Sequence, residues 1–176
     1  MRRIAMLLLS GIFSCSAHAV DIANIDKQCA KKNYLDYVSA SILWYENLVN
    51  LTVNKHPQLQ EVANWFLDGR RKHFTLNEVA FNWYLENDES RLNFNKSVES
   101  WLTLTQEDIR KLSLTSTPIS PDAKAVFDFR QGKAHEGNYE LRTALADLLS
   151  NPKEIERPLR AYNDSIAKIT NHSCLK

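Results

Sequence analysis

Glycine is scarce in this chain, with only four in 176 residues, and tight β-hairpins lean on glycine-bearing turns, so an all-β fold is not expected. Charge of one sign is also missing. Against 22 Lys+Arg stand 21 Asp+Glu, a net of +1 without the clustered basic excess of a nonspecific nucleic-acid binder, and no nucleic-acid partner is expected. Long hydrophobic runs are absent too. A bilayer span needs about 20 apolar residues, and the longest apolar stretch, near the N-terminus, falls short of that, so no transmembrane segment is expected after processing. What is present, 44% hydrophobic and 24% charged residues, is the composition of one soluble globular domain able to build a core.

The N-terminus reads as an address. Arg2 and Arg3 precede the apolar run Ile4 to Leu9 with Ile12 and Phe13, and Ala17-His18-Ala19 supplies a small-x-small cleavage pattern. Residues 1–19 are therefore expected to be a cleaved signal peptide, leaving 20–176 as a single helical domain in the periplasm or outside the cell. Cys15 offers a lipoprotein alternative, but bulky Phe13 stands where such signals carry a small or β-branched residue. Loss of Arg2 and Arg3 turns the net charge from +1 to −1. Of the three cysteines, Cys29 and Cys174 would remain, one near each end. In an oxidising compartment that pair is expected to form one disulfide joining the termini.

Helix signals recur along the rest of the chain. Asn33 is placed to cap a long helix in which Leu35, Val38, Ile42, Tyr45 and Val49 form a buried stripe. Pro57 suits the first turn of a second helix, with Gly69 as its stop. Thr75-Leu76-Asn77-Glu78 reads as a capping box opening a third helix, and apolar residues continue over 91–103 before a capped start at Thr105. Leu114 to Pro121 is the clearest loop. Ser120-Pro121-Asp122 starts another helix, Gly132 and Gly137 bracket a break, Asn138 caps the next helix, and Asn151-Pro152 ends it. A last helix, kinked or started at Pro158, runs toward Cys174. The expected fold class is all-α, a compact single-domain bundle of about six or seven helices.

Chemistry leaves few marks. The patterns GxSxG, GxxxxGK[ST], HExxH and CxxCH are absent, and His135-Glu136-Gly137 lacks the second histidine because position 139 is Tyr139. His56, His73, His135 and His172 stand at no helical i, i+3 or i+4 spacing from one another, so neither a metal nor a cofactor is expected. A hydrolase would need two of Glu78, Glu86, Glu136 and His135 to converge in a cleft.

Two features stand out. Arg70-Arg71-Lys72-His73 is a basic run expected on an exposed interhelical turn, where it would receive an acidic protein surface or an anionic headgroup. Trp44, Trp65, Trp83 and Trp101 recur on successive predicted helices, as core residues, interface anchors or the lining of an apolar pocket. The first functional expectation is an exported helical protein that binds another protein, as an inhibitor, immunity or adaptor factor, without catalysis. The alternatives are a carrier of an apolar small ligand and, behind it, a carboxylate-dependent hydrolase.

Overall fold

The computed structural model describes residues 25–174; the expected signal peptide and Cys15 lie outside them. Helix α1 spans Lys27–Lys55 and α2 spans Gln60–Asn87, joined by one 3-10 turn at Pro57–Leu59 that begins with the expected proline. Together they form a long antiparallel hairpin. Helices α3 (Gln106–Leu112), α4 (Ser120–Gln131), α5 (Asn138–Leu149) and α6 (Pro152–Thr170) pack around it. These six helices, with no strand among the described residues, make the all-α bundle that the sequence led us to expect.

The hairpin carries two apolar clusters, one toward each end. Tyr34, Tyr37, Val38, Phe74, Leu76, Phe81 and Leu85 meet Leu92, Val98, Ile109, Ile119 and Val126 at the end covered by α3 and α4. Leu48, Val49, Val62, Ala63 and Leu67 meet Leu141, Leu145, Leu148 and Ile155 at the end covered by α5. Tyr34 stacks on Phe81 with ring centroids 3.9 Å apart, binding the first turns of α1 to the second half of α2. Helix α6 returns along α1, presenting Ile155, Leu159, Tyr162, Ile166 and Ile169 at alternating spacings of four and three.

Disulfide Cys29–Cys174 closes the return, with a Cα–Cα distance of 5.4 Å. The tail beyond α6 is fixed further by the Asp26 N–H donating to the Cys174 carbonyl at 2.8 Å. Asn33 Nδ2 donates to the His172 carbonyl at 3.0 Å and to Cys174 Sγ at 3.2 Å.

Several helix boundaries depart from expectation. Asp26, not Asn33, caps α1, its carboxylate accepting from the backbone N–H groups of Gln28 and Cys29. Asn33 is buried two turns inside, where its amide serves the C-terminal tail. Gly69 does not stop a helix and Thr75 does not open one, because α2 runs unbroken through both. Phe74, Leu76, Ala80, Phe81 and Leu85 extend the buried stripe across that point, and no proline there removes a backbone donor.

No α-helix forms over 91–103, which holds one full 3-10 turn, Val98–Ser100. Ile119 and Gly137, rather than Ser120 and Asn138, are the N-caps of α4 and α5, and α6 begins at Pro152 with Pro158 inside it. Thr105 caps α3 as expected, in a capping box completed by Asp108.

Gly69 has a packing reason. A Cβ at this position would lie 2.4 Å from Cε1 of Phe129, whose ring stacks on Trp65 at 5.3 Å. Gly69→Ala is therefore expected to destabilise by about 1–2 kcal/mol despite the better helix propensity of alanine. In a Phe129→Ala background the same change should instead stabilise by about 0.5–1 kcal/mol, and denaturant unfolding of the four proteins checks the reversal of sign. Replacing both Cys29 and Cys174 by serine, a pair 145 positions apart, is expected to cost about 2–5 kcal/mol. The loss should be matched by full reduction of the wild-type protein, as read from its urea midpoint.

Candidate functional site

Because Arg70-Arg71-Lys72-His73 lies within α2 and not on a turn, successive side chains point about 100° apart and the run cannot act as one patch. The structure divides it. Arg71 pairs with Glu46 of α1 at 2.7 Å, and Lys72 pairs with Asp68 one turn back at 2.5 Å. Arg70 turns toward the α1 side, its guanidinium carbon 5.5 Å from the Tyr45 ring centroid and 5.3 Å from that of Phe66.

His73, three residues on from Arg70 and so on the adjoining part of the helix surface, faces α4. Asn77 Nδ2 lies 3.3 Å from its Nε2, and Arg130 Nη2 of α4 lies 3.2 Å from its Nδ1. Burial first, then Arg130 and Arg70, push the imidazole down to about 4, so it is neutral at pH 7 and Nδ1 can accept from the guanidinium. Arg130 also donates from Nη1 to Gln106 Oε1 of α3 at 2.9 Å. Burial and the neighbouring Arg70 hold its guanidinium below the usual arginine value. Arg130 and Gln106 were not legible as site residues. An arginine in the last turn of a helix reads as a complement to the helix dipole.

A second feature is a groove of about 580 Å³ between α1 and α6. Lys32, Asp36, Ser39 and Leu43 line it from α1, and Lys168, Ile169 and His172 from α6 and the tail. Leu43 is 54% exposed. Leu35, expected in the buried stripe, is 46% exposed and edges the same flank of α1, three residues after Lys32 and four before Ser39. Lys32 is paired with Asp36 at 2.5 Å, while Lys168 has no ion pair among the described residues.

The tryptophans do not share a cavity. Trp44 lies 5.9 Å from Tyr162 and borders a cleft of about 50 Å³, far below the few hundred Å³ of a ligand pocket. Trp101 stacks on Phe81, meets Phe94 edge-on and borders a different cleft of about 180 Å³. Trp65 stacks on Phe129, and Trp83 packs against Tyr84.

Of the groups proposed for hydrolysis, His135 and Glu86 are held far apart. His135 sits 3.6 Å from Glu61 near the start of α2, whereas Glu86, near its end, is paired with Lys27 and Lys31. At 1.5 Å per residue those two places are about 37 Å apart along the helix.

Tyr37 of α1 and Tyr162 of α6 face one another across the helix pair closely enough for Tyr162 to act on the Tyr37 phenol, a juxtaposition unmarked by the sequence. Burial pushes Tyr37 up to about 12, with Tyr162 adding to the shift, so these phenols remain protonated.

The His73 shift has a defined pH signature. The unfolded chain binds a proton between pH 6.5 and about 4 that the folded chain refuses, so stability is fully present above pH 6.5 and falls with pH below it. The loss between pH 6.5 and 5 is expected to reach at most about 2 kcal/mol, a window above the range in which carboxylates titrate. His73→Gln should flatten the slope of urea stability across that window. No protein-family profile matches the chain, and neither a curated protein nor a solved structure matches it.

Proposed function

We propose that the chain is an exported, non-catalytic helical module that binds another protein through the α1–α6 groove. The observation that carries this reading is the groove's combination of exposed Leu43, flanking Leu35 and Lys168, which has no ion pair among the described residues, on two packed helices. Large apolar side chains cost free energy when left in water, and a rim cation selects an acidic neighbour. The expected occupant is therefore an amphipathic segment of a partner protein, with an apolar face for Leu43 and a carboxylate for Lys168.

The disulfide supports export, since such bonds persist in oxidising compartments. No described helix is long and apolar enough to cross a membrane, which is compatible with release into such a compartment. Dispersed tryptophans, and the separation of His135 from Glu86, give the carrier and hydrolase readings no comparable support.

Photo-leucine at position 43 is the direct test. Cross-linking in the exported fraction of the source cells should join the chain to one protein species. Lys168→Glu should abolish that product, and the same probe at exposed Tyr139 on α5 should not form it. Equal labelling from positions 43 and 139, or a product indifferent to Lys168→Glu, would remove the groove from partner binding. Leu43→Asp should change stability by less than about 0.5 kcal/mol, as expected for an exposed position.

A further inference from the structure

We propose that Arg70 of α2 and Arg130 of α4, flanked by His73 and Gln106, form a binding site for a phosphate dianion. The inference does not depend on the α1–α6 groove. Its basis is an arrangement around one imidazole: Arg130 Nη2 of α4 lies 3.2 Å from His73 Nδ1, Arg70 stands three residues before His73 on α2 with its Nε unpartnered, and neither guanidinium has a carboxylate partner among the described residues.

The missing counter-charge is specific. Glu46, adjacent to Tyr45, is held by Arg71; Asp68, two residues before Arg70, is held by Lys72; Asp128, two residues before Arg130, is held by Lys124. Each nearby acid on α1, α2 and α4 is thus engaged by a different cation. Arg70 gives none of its five N–H donors to an acceptor among the described residues, and its buried Nε has no hydrogen-bond partner. It is held instead against the faces of Tyr45 and Phe66. Arg130 uses one donor on Gln106 and one on His73, leaving three without an acceptor among the described residues on an exposed side chain.

Two fixed positive charges select the ligand by charge and shape. Arginine stays protonated at any physiological pH and forks onto planar or tetrahedral oxyanions through paired N–H groups. A single carboxylate would neutralise only one of the two. A phosphate carrying about −1.5 to −2 charge at pH 7 matches both and offers several acceptor oxygens. His73, neutral and half-buried, accepts from the Arg130 guanidinium, and Gln106 holds its other terminal nitrogen, so the cation is oriented before any anion arrives. Arg71 and Lys72, though part of the same basic run, are occupied and lie outside the site.

The test is titration of the full mature protein with inorganic phosphate and with phenyl phosphate, ionic strength being held constant with chloride. Saturable binding is expected below about 20 mM, with Arg70→Gln and Arg130→Gln each weakening it about tenfold or more. Arg71→Gln and Lys72→Gln should leave it within about twofold. In the unmutated protein, phosphate should shift the Nε–Hε resonances of Arg70 and Arg130, a readout that survives if a substitution prevents folding. Tighter binding of phenyl phosphate would assign the site to a phosphate group carried on a larger molecule, and equal binding would assign it to free phosphate. Absence of saturation by either, or saturation that leaves both arginine resonances unmoved, would overturn the proposal.

Discussion

Helix α1 is the element on which the other layers lean. It contacts α2 along one side and α6 along another, and parts of α5 and the 3-10 turn at Val98–Ser100 also reach it. Burial on so many sides demands apolar or internally satisfied positions around most of the helix. The sequence supplies them: Tyr34, Tyr37 and Val38 for one end, Leu48 and Val49 for the other, and Asn33 and Ser41 where polar partners wait. The hydrophobic stripe is accordingly too broad to mark a single face. Leu35 and Leu43 remain outside it because they fall on the flank that α6 leaves open.

The C-terminal tail links fold and groove. Cys174 is tied to Cys29 by the disulfide and to Asn33 by its sulfur, while the preceding His172 carbonyl accepts from the same asparagine. His172 and Asn33 also line the groove. The covalent tether and the shape of that surface therefore share the same residues. At the opposite end Lys55 and Glu154 form an ion pair between the end of α1 and the start of α6. An exposed pair of this kind contributes little by itself, so alignment of the two helices rests on the apolar teeth of α6 and on the disulfide.

Charge in this molecule is mostly local. Many of its cations pair with an acid three or four residues away on the same helix, as Lys32 does with Asp36 and Arg110 with Glu107. A near-neutral total thus conceals a distinction that matters for recognition. Cations compensated along their own helix are electrostatically quiet, whereas Arg70 and Arg130 have no acid three or four residues away on theirs.

Local chemistry made much of the architecture legible in advance. Scarce glycine and recurring three- and four-residue spacings indicated helices, Pro57 and Thr105 marked two starts, and the two cysteines indicated one terminal bond. Those features depend on backbone preference or covalent chemistry, which a single sequence carries. Tertiary contact decided the rest. Gly69 reads as a stop from sequence but serves as the space into which Phe129 packs. Thr75 reads as a cap but is overridden by the buried stripe running through it. Likewise the basic run looked like one patch, yet helical geometry splits it and α4 brings Arg130 to His73 from 57 positions beyond the histidine. Pairings across such distances depend on which helices pack together, and that choice is made by burial of whole faces, not by any local motif.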